Sequence, residues 1–324
     1  MWKGWMIILF ISAIFGREDK SLPELDICDN CADACSELKK GLDLHLEFDE
    51  TQEEFLLNGY YRDLSRYGRH ARPHGKTYMH GIFTSEYLRD GDIVKKCWFR
   101  ALHLRGRMHT DHLVISNSRG VAGVDLGISF TMAVWFQLSA AGDHWQTIMD
   151  NGVSGVANPA YGLRVLGNTL AVDFWGDSQA VAHNYPYEVG RGSNKPESSA
   201  RAEVTVPMGA WTHAAVVISE DGRASFYVNG LVVFSEQFVG STLCGSRNGG
   251  KRDWMDVCHQ IDPIAPQHEL WVGREAPMRH NANARAFQGD MDDLRVYSQR
   301  ALSAVEVQTL FLMGSFRRNG TRWD

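Results

Sequence analysis

Aromatic and charged side chains at the off-phase positions of apolar runs are the first candidates for chemistry in this sequence. SFTMAVWFQL places Phe130, Met132, Val134, Phe136 and Leu138 on one face and Thr131, Ala133, Trp135 and Gln137 on the other. Arg164 alternates with Tyr161, Leu163 and Val165, and Asp173 and Trp175 alternate with Leu170, Val172 and Phe174. If these strands are neighbours, Trp135, Arg164, Asp173 and Trp175 form one patch of indole faces and charges. Such a patch suits a sugar, whose C–H faces stack on aromatic rings while its hydroxyls take hydrogen bonds. The alternative is that the long loops fold over that face and bury both tryptophans as a second small core.

Other reactive residues point to less. His70, His74 and His80, and His109 and His112, have spacings that could suit a metal, but they fall in expected loops without a carboxylate motif such as HExxH, which favours a solvated surface. No Gly-x-Ser-x-Gly, Cys/His pair or phosphate loop sits in a fitting context. Arg247, Lys251 and Arg252 form a basic cluster in a Gly-rich loop that could touch anionic glycans, with a solvated loop as the default. A net charge of -6 over 324 residues argues against nucleic acid as a partner.

The cysteines are read through their compartment. Lys3 precedes the apolar run WMIILFISAIF, and Gly16 closes it before Arg17-Glu18-Asp19-Lys20. This is the pattern of a signal peptide over 1–16; an uncleaved N-terminal anchor is the other reading. No later stretch is apolar and long enough to span a bilayer, so a secreted product is expected. Six cysteines in an exported chain read as disulfides. Cys244 and Cys258 bracket a Gly-rich loop and are the expected local pair. Cys28, Cys31 and Cys35 fall on one stripe of a short helix within 17–40, stopped by Gly41, and Cys97 is left to bond one of them. Zinc is the lesser reading of that N-terminal cluster.

The elements that position these residues are strands. WTHAAVVI, a Glu220-Asp221-Gly222 turn, RASFYV, Asn229-Gly230 and LVVF make a three-stranded meander, Asn-Gly being a strong hairpin signal. LDLHLEF, WFRALHLRG, HLVIS, WQTIMDNG, YGLRVLG and TLAVDFWG add further strands, whereas the stretch from Tyr78 to Lys96 reads as loop-rich. Asp177 to Arg201 and Gly240 to His268 read as long surface loops. Ser303 and Glu306 form a capping box that opens a short helix, with Leu302 and Val307 as its hydrophobic staple. A tail over 314–324 is expected to be flexible and holds the sequon Asn319-Gly320-Thr321. Regular short strands with turns between them indicate an all-β, two-sheet antiparallel sandwich.

These motifs carry a resemblance. The Trp-Thr-His-Ala strand, the Phe-Tyr-Val-Asn-Gly hairpin, the Asp63-Leu64-Ser65-Arg66-Tyr67-Gly68-Arg69-His70-Ala71 loop, and ELWVGRE followed by FQGDMDDLRVYSQRALSAVEVQTLF resemble the laminin-G-like jelly-roll domains of the concanavalin A-like lectin superfamily. The resemblance covers 41–313 and implies a jelly roll between the short Cys-containing helix and the closing helix. It also implies a structural calcium, with Asp63 and Asp292 as ligands and backbone carbonyls completing the shell. Asp292 shares phase with Leu294 and Val296 and is expected to face the core side; the bland alternative is that it accepts backbone N–H bonds or pairs with an arginine. Glu24-Leu25-Asp26-Ile27-Cys28-Asp29 resembles the paired-carboxylate motif of β-glucanases. It lies ahead of the sandwich in helical company, where it cannot flank a substrate. The expectation is a non-catalytic binding module for glycans or glycosylated surface proteins. A protein-binding adhesion component and a glycan-cleaving enzyme are the alternatives, and oligomeric state is left open.

Overall fold

The computed structural model describes residues 36–75, 78–89, 92–106, 111–116, 124, 126, 129–139, 145–151, 160–166, 169–175, 199–202, 206–220, 223–237, 269–275, 286–319 and 322–323. In chain order the first elements are α1 (Ser36–Lys39), β1 (Leu42–Leu46), α2 (Gln52–Asn58), β2 (Ala71–His74), β3 (Tyr78–Arg89), β4 (Asp92–Arg105), β5 (His112–Ile115) and β6 (Phe130–Leu138). Next come β7 (Trp145–Asp150), β8 (Ala160–Leu166), β9 (Thr169–Trp175), β10 (Ser199–Ala202), β11 (Thr212–Ile218), β12 (Arg223–Val228) and β13 (Leu231–Gln237). The last are β14 (Leu270–Val272), β15 (Gln288–Ser298), α3 (Ala304–Asn319) and β16 (Arg322–Trp323).

The strands divide into two sheets. The first runs β13-β12-β11-β6-β15-β4-β3-β16, with β1 also on β15; the second runs β10-β9-β8-β7-β14-β5-β2. Among the described residues every strand-to-strand pairing is antiparallel except the short β16–β3 contact; two isolated bridges, Leu138–Met208 and Thr147–Ala286, are also parallel. Between the sheets lies one large apolar core. The first sheet sends in Phe130, Met132, Val134, Phe136, Leu138, Val216 and Phe226, and the second meets them with Leu113, Ile115, Leu163, Val165, Leu170 and Val272. These are the apolar phases of the sequence, as a period of two dictates. The β11–β12–β13 meander forms as expected, and its Asn229-Gly230 turn takes φ of 50° and 74°. A Cβ on Gly230 would lie 2.8 Å from Phe311, so glycine also lets α3 approach the turn.

The outer face of the first sheet is sealed by helix. Val307 and Leu310 of α3 and Leu38 of α1 pack with Ala133, Ala215, Val217, Tyr227 and Tyr297. Beside them Phe311 stacks on Trp135 at 5.7 Å, joined by Phe99 and Trp211. The capping box is present: Ser303 N–H donates to Glu306 Oε2 at 2.8 Å, and Glu306 N–H donates to Ser303 Oγ at 3.3 Å. Leu302 and Val307 are both buried, as a staple requires.

Three expectations are corrected. Tyr78 to Lys96 is not loop: β3 and β4 pair from Tyr78 opposite His103 to Arg89 opposite Asp92. The closing helix is not short, and it continues past Met313 to Asn319, taking half of the expected flexible tail. Asp292 does not share phase with Leu294. Against β6, Asp292 is opposite Trp135 and Arg295 is opposite Ala133, so β15 carries one extra residue, with Asp293 at φ 49°. Met291 and Leu294 both enter the core, and Asp292 lies on the outer face with Trp135. The signal peptide, Cys28, Cys31, Cys35, Cys244, Cys258 and the basic cluster lie outside the described residues.

Candidate functional site

The second sheet presents a different outer face. In HLVI, Leu113 and Ile115 enter the core, so His112 and Val114 face outward; in LWV, Leu270 and Val272 leave Trp271 outward. Register then stacks three rings across three strands. His74 is opposite His112, and Trp271 is opposite Val114, diagonal to His112. Ring centroids are 5.0 Å apart for His74–His112 and 4.3 Å for His112–Trp271, with interplanar angles of 12° and 6°. His74 is exposed, His112 buried and Trp271 half-buried, so the ladder runs inward from the sheet edge.

Charge continues the row. Trp271 is opposite Asp150, and Asp150 is opposite Gly162. A Cβ on Gly162 would lie 3.1 Å from Arg164 Nε, so the glycine lets the guanidinium lie along its own strand. Arg164 Nη2 donates to Asp150 Oδ2 at 2.7 Å and Nη1 to Glu275 Oε1 at 3.2 Å. Arg164 and Asp150 are fully buried and Glu275 is nearly so. Charges hidden this well persist only when paired, because desolvation costs several kcal/mol per ion.

Three of the four expected sugar-patch residues fall at in-phase register positions of β8 and β9. Asp173 stands opposite Gly162 and Trp175 opposite Ala160, in phase with Arg164. Trp135 is the exception and is corrected. It belongs to β6 in the other sheet and is covered by α3, because the chain crosses between sheets from β6 to β7. Of the second-core alternative only the burial of Trp135 holds, and its cover is the closing helix rather than a long loop. His74 and His112, weighed from the sequence only as metal candidates in expected loops, lie instead in β2 and β5, and His112 is buried; Trp271 was not singled out, although the off-phase places of His112 in HLVI and Trp271 in LWV carried the signal.

The Asp63 loop does other work. Asp63 Oδ1 accepts from His45 N at 2.9 Å and Ser65 N at 2.8 Å, and Oδ2 accepts from Ser65 Oγ and Arg69 N, each at 2.7 Å. Leu64 N–H donates to His45 C=O, so the loop closes the edge of β1 that β15 leaves open. A carboxylate has about four acceptor positions, and all are taken. Asp292 accepts from Asp293 N–H at 2.8 Å on the face shared with Trp135. The two aspartates therefore do not fit the shared oxygen shell of a calcium ion.

Among the described residues, one group has metal-like spacing. His45, Glu47 and Asp293 bring one ligand atom each within 4.8 Å of one another. His45 Nε2 lies 2.9 Å from Asp293 Oδ1, but Arg295 Nε donates to the same oxygen at 2.7 Å. A cation there would face a buried guanidinium. Burial first, then Arg295, holds the His45 pKa below its ordinary value, with Asp293 pulling the other way. Burial opposes the charge of Arg295, but Asp293 more than offsets it and raises that pKa. The arrangement is a lock between β1 and the bulge of β15.

Comparison with known proteins follows from this geometry. No curated protein matches the chain in sequence. Among solved structures, it is similar to the receptor-binding domain of botulinum neurotoxin D (11% identity, TM-score 0.44, covering 85% of this chain and 53% of that one). It is likewise similar to the binding domain of Paraclostridial Mosquitocidal Protein 1 (13%, 0.46, 85% and 52%). A third is a structure of botulinum neurotoxin type C, whose cell entry depends on two ganglioside molecules (11%, 0.48, 85% and 52%). The chain spans about half the length of these structures. A laminin-G-type family model matches residues 109–256. That model is described as the concanavalin A-like lectin/glucanases superfamily, and the matched stretch holds β5 through β13.

Proposed function

We propose that this chain is a secreted, non-catalytic module that binds carbohydrate or glycoconjugate on the outer face of its second sheet. The observation that carries the reading is the His74–His112–Trp271 ladder, which leads from an open sheet edge to the Asp150–Arg164–Glu275 cluster. The exposed His74 and half-buried Trp271 offer ring surface for stacking, and the buried ion cluster fixes the strands beside them. The superfamily match and the leader-like start of the sequence support it. Glycoside hydrolysis needs one carboxylic acid to give a proton and a second carboxylate to act as base or nucleophile. Here the two carboxylates share one arginine and are closed off, which favours recognition over cleavage.

The test is a broad glycan array probed with the disulfide-intact chain and with Trp271→Ala. Binding by the wild type that falls about tenfold or more in a folded Trp271→Ala variant is the expected result, since truncating an aromatic anchor at a binding surface costs roughly 2 kcal/mol or more. Unchanged binding by that variant would remove the face as the reader. An array with no binding at all would move the reading to a protein partner, to be sought by pull-down from cell-surface extracts.

A further inference from the structure

A second concavity lies on the Asp63 loop. It is open, about 560 Å³, and its lining includes Tyr60, Arg62, Asp63, Arg66, Tyr67 and His70. Its one acid is spent: Asp63 already accepts four hydrogen bonds from within the fold. Its cations are not. Among the described residues neither Arg62 nor Arg66 forms an ion pair, and both are exposed. Arg66 donates only to the Tyr67 hydroxyl, at 2.6 Å, with its guanidinium 4.7 Å from the Tyr67 ring centroid.

The tautomer of His70 adds a donor. Asp63 N–H donates to His70 Nδ1 at 3.1 Å, so in the neutral ring the proton sits on Nε2, away from that bond. Tyr60 stacks on the ring at 4.3 Å and 2°, fixing its plane. The lining thus offers guanidinium and imidazole N–H donors and no uncommitted carboxylate. That is a receptor for an oxyanion. Its volume exceeds what a lone inorganic ion fills, and Tyr60, stacked on His70, and Tyr67, with Arg66 and Arg69 against its ring, border the space an attached group would take.

We propose that this concavity binds an acidic sugar residue, one carrying a sulfate ester or a carboxylate, through Arg62, Arg66 and His70. The inference rests on the glycan-binding reading for its ligand class, but it uses a different site, so the two fail separately.

The experiment is calorimetric titration of the full chain with a sulfated heparin-type hexasaccharide, its desulfated counterpart and sialyllactose, at low and high salt. The wild type is expected to bind at least one acidic probe, with affinity falling as salt rises. Arg62→Gln/Arg66→Gln is expected to lose about tenfold or more, because charge-assisted bonds to an oxyanion are the strong ones. Both arginines are exposed and unpaired with acid, so this variant keeps its melting temperature; Arg66→Glu alone, expected to weaken binding further than Arg66→Gln, is the second check. The same double variant should leave binding at the Trp271 face intact. Equal binding by wild type and double variant, equal binding of sulfated and desulfated probes, or no binding of any acidic probe overturns the proposal. So does binding confined to anionic phosphatidylserine vesicles and abolished by Leu56→Ser/Leu57→Ser, since those leucines are 72% and 85% exposed on α2 and would mark a membrane contact instead.

Discussion

A histidine can be a ligand, a base or a piece of the scaffold, and its neighbours decide which. His45 is buried beside Asp293, Glu47 and Arg295, and burial keeps it neutral in the fold. Its folded pKa lies below the ordinary 6.5, so the unfolded chain takes up the proton first as pH drops. The stability that neutral His45 contributes is therefore complete above about pH 6.5 and is lost as pH falls through the folded value. Urea melts of the wild type should weaken between pH 7.5 and 5.5 more steeply than those of His45→Gln. Parallel slopes would clear His45 as the titrating group. His70 and His112 show the same lesson with different neighbours, one completing a donor array and the other a ring ladder.

Among the elements, α3 is the one whose start was written most plainly. Its Ser303–Glu306 box caps it, and its apolar stripe covers Trp135, Ala133 and Tyr297. Ser303→Ala should cost about 1 kcal/mol in equilibrium unfolding with little change in the denaturant slope, the usual worth of an N-cap. A loss of several kcal/mol would mean that the cap also holds the helix onto the sheet. The β11–β12–β13 meander was equally legible, because Asn229-Gly230 sets the turn and Phe226 sets the phase. The β3–β4 hairpin was not. Its apolar pattern is broken by charges, and the Asp90-Gly91 hairpin signal between its halves was passed over. The candidate site was legible one strand at a time: the register of β8 and β9 puts Arg164, Asp173 and Trp175 in one phase, as the alternation implied, and Trp135 misled because adjacency in sequence was taken for adjacency in a sheet. The partners that complete the face, His74, His112 and Trp271, come from strands far apart in the chain. Only the fold brings them together.

On the scale of the whole molecule, the two sheets have opposite fates. One carries helices over its outer face; the other carries aromatic rings and paired charges. The carboxylate of Asp63 is already saturated by backbone and hydroxyl donors, which predicts no calcium dependence. The melting temperature should be the same in calcium and in chelator, and mass analysis of the purified chain should find no stoichiometric metal. A calcium-dependent rise of several degrees would show that Asp63 gives up those donors for an ion. The single extra residue at Asp293 has a wider reach than its local kink. β15 pairs with β1, β4 and β6, and the bulge keeps Met291 on one side of it and Leu294 on the other both pointing inward. A one-residue deletion there would invert one half of the strand, exchanging Met291 for Asp292 in the core along a seam shared by three neighbours. A change of length that a surface loop would absorb is thus intolerable at this point of the chain, and related sequences should vary freely in loop length while holding the spacing from Gly289 to Val296 constant.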